Sequence, residues 1–189
     1  PTTHYAMGGI RVNGDTQATN VPGLFAAGEC ASGLHGANRL GGNSLSDLLV
    51  FGQRAGEFAA KFAKENSAGT VNEAQVEAAA REALEPFDRG ASTGASNEGP
   101  YQVQYDLQNM MQELVGIVRL ENEMTRAVEG IAKLRERAAK VAVIGHREYN
   151  PGWNTAIDLK HLLTVSEAIA LSALDRKESR GGHFREDFP

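Results

Sequence analysis

The 189 residues carry 24 acidic and 19 basic side chains, a net charge of −5 with the signs interspersed and no Lys/Arg-rich block, which argues against a nucleic-acid surface. Hydrophobic residues make up 41% of a chain expected to be globular, and its one cysteine, Cys30, excludes an intrachain disulfide framework and fits a reducing compartment. No apolar run approaches the ~20 residues of a membrane-spanning helix, and no segment reads as a signal peptide.

The chain opens on PTTHYAMGG, without an initiator Met, and closes on the dense stretch ESRGGHFREDFP. Both ends read as cuts inside a longer protein. Asn13-Gly14-Asp15, set between β-type residues, predicts a hairpin. VPGLFAAG, residues 21–28, predicts a Pro-Gly turn and then a buried strand entering a tight turn. Ser44 or Ser46 is expected to cap a helix running to about Lys64, with Leu48, Leu49, Phe51, Ala55, Phe58, Ala59 and Phe62 at helical spacing. A second helix is expected over 71–87, stopped near Pro86. Residues 88–100, DRGASTGASNEGP, read as a linker.

From Tyr101 to Val143 the pattern is helical, with a break between Gly116 and Glu121. NPGWN, residues 150–154, predicts a turn, and Ala156 to Leu174 a further amphipathic helix. No internal repeat is present. The fold class is therefore mainly α with a small β part, the second half a helical bundle. The boundary is placed at residue 66, giving domains 1–66 and 67–189.

The segment from His35 to Leu45, HGANRLGGNSL, stands apart. Glycines before a helix let backbone N–H groups approach a ligand. A helix N-terminus adds free donors and partial positive charge, and Arg39 adds a planar fork suited to a carboxylate or phosphate. This points to an anion or cofactor site. A glycine-rich turn with a structural arginine accounts for the same residues equally well.

HYAMGGI, VPGLFAAGECA and HGANRLGGNSLSDLLVFG, followed by ESRGGHFREDFP, resemble the flavoprotein subunit of succinate dehydrogenase and fumarate reductase. The four motifs stand in family order, and the resemblance covers most of the chain. L-aspartate oxidase is a near relative and the alternative reading, but it usually has Ala-Ser where this chain has Gly41-Gly42. The resemblance implies a piece of an FAD-binding α/β domain followed by the family's helical C-terminal domain. Its reaction moves a hydride from succinate to flavin N5 while a base takes a proton from the neighbouring carbon; fumarate reductase runs it backwards.

Carried over residue by residue, the resemblance makes His4 and Arg39 the groups that hold the dicarboxylate. Glu29 matches the acid that accepts from the ribityl chain of FAD, and Ser44 and Leu45 the pair at the flavin end. No catalytic base is assigned: the family's proton-shuttling arginine, the G-x-G-x-x-G fingerprint and the flavin-attaching histidine segment are missing and are expected N-terminal to Pro1. The chain alone is therefore expected to lack FAD and activity, and as an isolated piece to act as a helical docking module at most. The implied partners are an iron–sulfur subunit and, through it, a membrane anchor, with a homo-oligomer of the piece as a further possibility. The implied location is peripheral, on the cytoplasmic side of a bacterial inner membrane. Cys30 is expected to be a buried small hydrophobe and His35 a brace for the glycine turn; His146 and His161 are ordinary helical-domain residues. His183 and Arg185 fit either packing or a site. No Cys or His cluster has metal-ligand spacing.

Overall fold

The computed structural model describes residues 4–93 and 98–189. The chain forms two compact units: residues up to 71 with 180–183, and residues 72–179 with 184–189.

Among its described residues the first unit holds one helix, α1 (Asn43–Glu65). Its extended segments do not assemble into a sheet. Ile10 bridges Ala31 in parallel, and Ala18 bridges Phe25 in antiparallel. A strand needs a ladder partner, and each segment finds a single pairing. The turn predicted at Asn13–Asp15 forms, with Asn13 Oδ1 accepting from the Asp15 and Thr16 amides at 3.0 Å each. It is a turn without a hairpin ladder, and the strand expected over 21–28 shrinks to the bridge at Phe25. Phe25 packs edge-on against Phe62 of α1, 6.2 Å between ring centroids.

Neither Ser44 nor Ser46 caps α1. Gly42 is the N-cap, at φ 85°, and no side chain caps the helix. The left-handed glycine starts the helix early and leaves both serines inside its first turn.

The second unit comprises α2 (Glu73–Thr93), α3 (Pro100–Leu114), β1 (Val118–Arg119), α4 (Glu121–Ala138), α5 (Pro151–Asp175) and β2 (Phe184–Arg185). β1 and β2 pair in parallel, Val118 opposite Phe184. Helical spacing puts Val103 and Leu107 of α3, Ala127, Ile131 and Leu134 of α4, and Leu159 and Leu163 of α5 on inward faces. These form one buried core. The break foreseen between Gly116 and Glu121 is present and carries β1.

Three helix boundaries differ from expectation. α4 ends at Ala138, short of the expected Val143, because the Ala142 and Val143 amides donate to Glu98 O and Pro86 O and not along the helix. α2 runs through Pro86 to Thr93, so residues 88–93 are helical; residues 94–97 of the expected linker lie outside the described residues. Tertiary bonds hold the helix on both sides of the proline. Pro86 O accepts from the Val143 amide at 2.8 Å, Arg89 Nε donates to Val141 O at 2.8 Å, and Trp153 Nε1 donates to Ala83 O at 2.7 Å. α5 starts at Pro151, five residues before Ala156, because Asn150 is its N-cap: its side chain accepts from the Trp153 amide at 3.1 Å, and Pro151 fills the first helical position.

Arg185 is wholly buried. Its Nε and Nη2 donate to both oxygens of Asp187, at 2.7 and 2.8 Å. Its Nη1 donates to the carbonyls of Ala173 and Leu174 at the end of α5, 3.1 Å each. The guanidinium thus satisfies carbonyls that a helix C-terminus leaves without partners. For this residue the sequence left packing and site roles open; its contacts are those of packing.

Candidate functional site

His4, Glu29, Arg39, Ser44 and Leu45 all lie in the first unit. Glycine makes their arrangement possible at two close approaches. At Gly9, φ 129°, an added Cβ would stand 2.2 Å from the carbonyl oxygen of Cys30. The bare backbone lets Ile10 N reach Cys30 O at 2.8 Å. Beside that bridge, the Ala6 amide donates to Glu29 Oε1 at 2.9 Å. The His4–Gly9 strip and the Glu29 turn are thereby joined. At Gly181, φ 61°, a Cβ would meet Ala37 O at 2.2 Å, and the adjacent Gly182 amide donates to that oxygen at 3.0 Å. This contact fixes the backbone two residues before Arg39.

Arg39 lies over the ring of Tyr5, Cζ 4.4 Å from the ring centroid. Its Nη1 donates to Leu40 O at 3.2 Å. Its Nε is buried and has no hydrogen-bond partner among the described residues. A buried guanidinium N–H without an acceptor costs free energy unless something supplies one. The His4 ring is exposed, 6.5 Å from that of Tyr5. Tyr5 therefore neighbours both residues assigned to a dicarboxylate.

Ser44 and Leu45 occupy the first turn of α1, where no side chain caps the backbone donors. At Gly33, Gly36, Gly41 and Gly42 an added Cβ meets no atom within 4 Å, so this loop faces open space. The helix mouth combines uncapped N–H groups, the positive end of the dipole and room for a ligand.

Two residues of the arrangement were not singled out by sequence reasoning. Tyr5 is one. Asp47 is the other: it is buried on α1 and lies 3.1 Å from His35 Nε2. An acid set among Leu45, Leu48 and Leu49 was the available signal, since a carboxylate on an apolar turn needs a partner. His35 does brace the loop, through Asp47 and through Tyr5, whose hydroxyl oxygen is 3.3 Å from the same Nε2. Cys30 is a correction: it is exposed, its Sγ 3.4 Å from Ala27 O, because it sits in a surface turn and not in a buried strand. His183 is buried beside the turn at Gly181. Among the described residues no group of three His, Cys, Asp or Glu side chains is placed to hold a metal ion.

Comparison with known proteins bears on this geometry. Residues 1–45 match the family described as FAD binding domain, and residues 104–189 that described as fumarate reductase flavoprotein C-term. The fumarate reductase flavoprotein subunit of Haemophilus influenzae is 42% identical, over all of this chain and 31% of its own length. Among solved structures, the Mycobacterium smegmatis Sdh1 complex in the apo form superposes at a TM-score of 0.92 with 52% identity, covering 98% of this chain and 31% of that one. The Escherichia coli quinol fumarate reductase structure gives 0.85 with 38% identity, covering 98% and 32%. The chain spans about a third of the length of these relatives. It belongs to the fumarate reductase and succinate dehydrogenase flavoprotein family.

Proposed function

We propose that this chain supplies one wall of the flavin and dicarboxylate site of an FAD-dependent flavoprotein that interconverts succinate and fumarate. One observation carries the reading. His4, Glu29, Arg39 and the uncapped start of α1 share one compact unit, and all fall within the residues matched to the FAD binding domain.

The donor set fits the cofactor. The mouth of α1 presents backbone N–H groups at Ser44 and Leu45 toward open space, which suits the electron-rich edge of a flavin. Glu29 gives one oxygen to the Ala6 amide and keeps another for the hydroxyls of a ribityl chain. FAD, when bound, supplies the two-electron exchange with the substrate's central carbon pair. The protein's own part is positioning. Arg39 offers one substrate carboxylate a two-pronged clamp, and its unpartnered Nε gains an acceptor. His4 donates a hydrogen bond to the dicarboxylate. No residue of this chain is assigned to move the substrate's proton.

Electrons are proposed to pass to an iron–sulfur subunit. That partner would link the protein to a membrane anchor on the cytoplasmic side. No helix among the described residues is long and apolar enough to cross a membrane.

The test compares variants of the purified holoenzyme, reading succinate-dependent dye reduction and bound FAD together. Arg39→Lys keeps the charge and loses the fork. Its expected cost is roughly 2–4 kcal/mol of transition-state stabilisation, on the order of a hundredfold in kcat/KM, with FAD content unchanged. His4→Ala should act in the same way but more mildly, and Glu29→Ala should release flavin instead. An Arg39→Lys enzyme that lost FAD yet kept its activity per bound flavin would remove Arg39 from the substrate and make the glycine-rich mouth a cofactor clamp only.

A further inference from the structure

Arg39 is held from below by a stack of three residues to which the proposed function gives no part. Its guanidinium carbon lies 4.4 Å from the centroid of the Tyr5 ring. That distance belongs to a cation resting on an aromatic face. The Tyr5 hydroxyl oxygen is 3.3 Å from His35 Nε2, and the two rings meet edge to face at 5.5 Å and 83°. The same Nε2 is 3.1 Å from Oδ2 of Asp47. A carboxylate only accepts, so His35 Nε2 carries the hydrogen that points at Asp47. Asp47 is fixed in its turn by burial on α1, the one stiff element of this unit.

The direction of support follows. A planar fork clamps a carboxylate only if its plane faces that carboxylate. An arginine side chain has enough rotatable bonds to lose that plane, and fixing it on binding costs entropy. Among the described residues Arg39 has one polar tether, from Nη1 to the neighbouring carbonyl of Leu40. That contact fixes neither the tilt nor the height of the guanidinium. The ring of Tyr5 fixes both, and His35 with Asp47 fixes the ring.

We propose that Tyr5 is a positioning residue for substrate: its ring, held by His35 and Asp47, presets the plane of the Arg39 guanidinium that receives a dicarboxylate. The inference rests on the reading of Arg39 above and adds a residue that acts through Arg39. Its signature is a loss of dicarboxylate affinity with little change in turnover, because the ring acts before chemistry.

The experiment uses the flavin-loaded holoenzyme and two readouts. One is the KM and kcat for succinate. The other is the dissociation constant of malonate, a shorter dicarboxylate that cannot be oxidised in the same way, measured by calorimetry. Tyr5→Leu removes the aromatic face; both the KM and the malonate constant should rise about tenfold, with kcat within about threefold and flavin content unchanged. Tyr5→Phe keeps the face and the edge-to-face packing on His35, losing only the hydroxyl contact at an Nε2 whose hydrogen points at Asp47; it should recover most of the affinity, to within about threefold of the parent. Pentafluorophenylalanine at position 5 keeps the shape and abolishes the attraction of the face, so it should bind malonate as weakly as Tyr5→Leu. This isosteric variant carries the test if Tyr5→Leu does not fold. Tyr5→Phe as weak as Tyr5→Leu, or a pentafluorophenylalanine enzyme as tight as Tyr5→Phe, would overturn the inference while leaving Arg39 in place. A parent holoenzyme that neither turned over succinate nor bound malonate would overturn the functional reading and this inference with it.

Discussion

In the second unit the interior is built from apolar side chains: Val103, Leu107, Ile131, Leu159 and Leu163 meet across three helices, all below 4% exposed. In the first, among the described residues, Ala26 is the buried apolar side chain, and Gln17, Asp47 and His183 are buried with it. There the large apolar side chains face outward, among them Leu40, Leu45 and Leu49. What shapes the first unit is backbone conformation and polar contact: positive-φ glycines, two isolated bridges, and the chain from Arg39 to Asp47. The contrast separates two duties. One unit holds stability in a local core; the other holds the groups proposed to meet a ligand and has little interior of its own.

The hardest blow to that comparison would come from the core of the second unit. Ile131 is fully buried on α4. Ile131→Ala should cost about 2–5 kcal/mol, the transfer energy of the lost atoms plus the cavity they leave. Trp153 is the only tryptophan and packs on Phe87, 5.5 Å between ring centroids, so its fluorescence reports this unit in a urea titration. A cost below about 1 kcal/mol would mean that the core is not where stability resides.

Arg185 sharpens the same point with a polar group. Arg185→Met keeps the apolar stem and removes the bonds to Asp187, Ala173 and Leu174. The expected loss is about 2–3 kcal/mol, since hydrogen bonds to charged groups are worth about 1.5–3 each and leaving partners bare costs more than replacing them. A pH signature comes with it. The hydrogen bond from Arg185 holds the Asp187 carboxyl at about 2, below the ordinary carboxylate value. A carboxyl whose folded pKa is depressed stabilises the fold above its unfolded pKa and loses that contribution as pH falls through the folded one. The difference in unfolding free energy between the parent and Asp187→Asn should therefore be flat above about pH 5 and shrink between about 4 and 2. A difference that grew on acidification would contradict the ion pair.

The two regions also differed in what their sequences disclosed. Helical spacing located the helices of the second unit, because an amphipathic stripe such as that of α4 is written locally. Helix ends were less legible where a tertiary contact set them. Pro86 reads as a stop, and nothing in its neighbourhood announces that the Val143 amide and the Trp153 indole will carry the helix past it. Asn150-Pro151 was legible, as a cap followed by the first helical residue, but NPGWN also has the composition of a turn. At the site, the glycine-rich mouth and Arg39 stand out by residue type. Tyr5 and Asp47 do not, because their roles arise from a meeting of positions 42 residues apart in the chain, 5 and 47, through His35. The two-residue pairing of β1 with β2 was hidden for the same reason: it joins residues 118 and 184 with no alternating run to mark it.

The smallest effect tests the first unit. Leu49 lies on α1, is 75% exposed and so keeps only about a quarter of its surface out of water. Fully burying a leucine side chain is worth about 2 kcal/mol, so truncating this one should cost about 0.5 kcal/mol or less. Leu49→Ala should also leave helix propensity intact or slightly raised, because alanine is the better helix former. The near-null result is informative only beside Ile131→Ala: two aliphatic truncations on two helices of one chain, one expensive and one not. The 189-residue chain at low concentration is the sample, with hydrogen exchange of the α1 amides as the readout, since Trp153 lies in the other unit. A loss above about 1.5 kcal/mol would show that something covers Leu49 in solution. Raising the protein concentration then separates the two ways that could happen. A second copy of the chain would make the protection of α1 grow with concentration, and a rearrangement within one chain would leave it fixed. Either outcome would erase the contrast between the units, because the first would then possess an apolar interior after all.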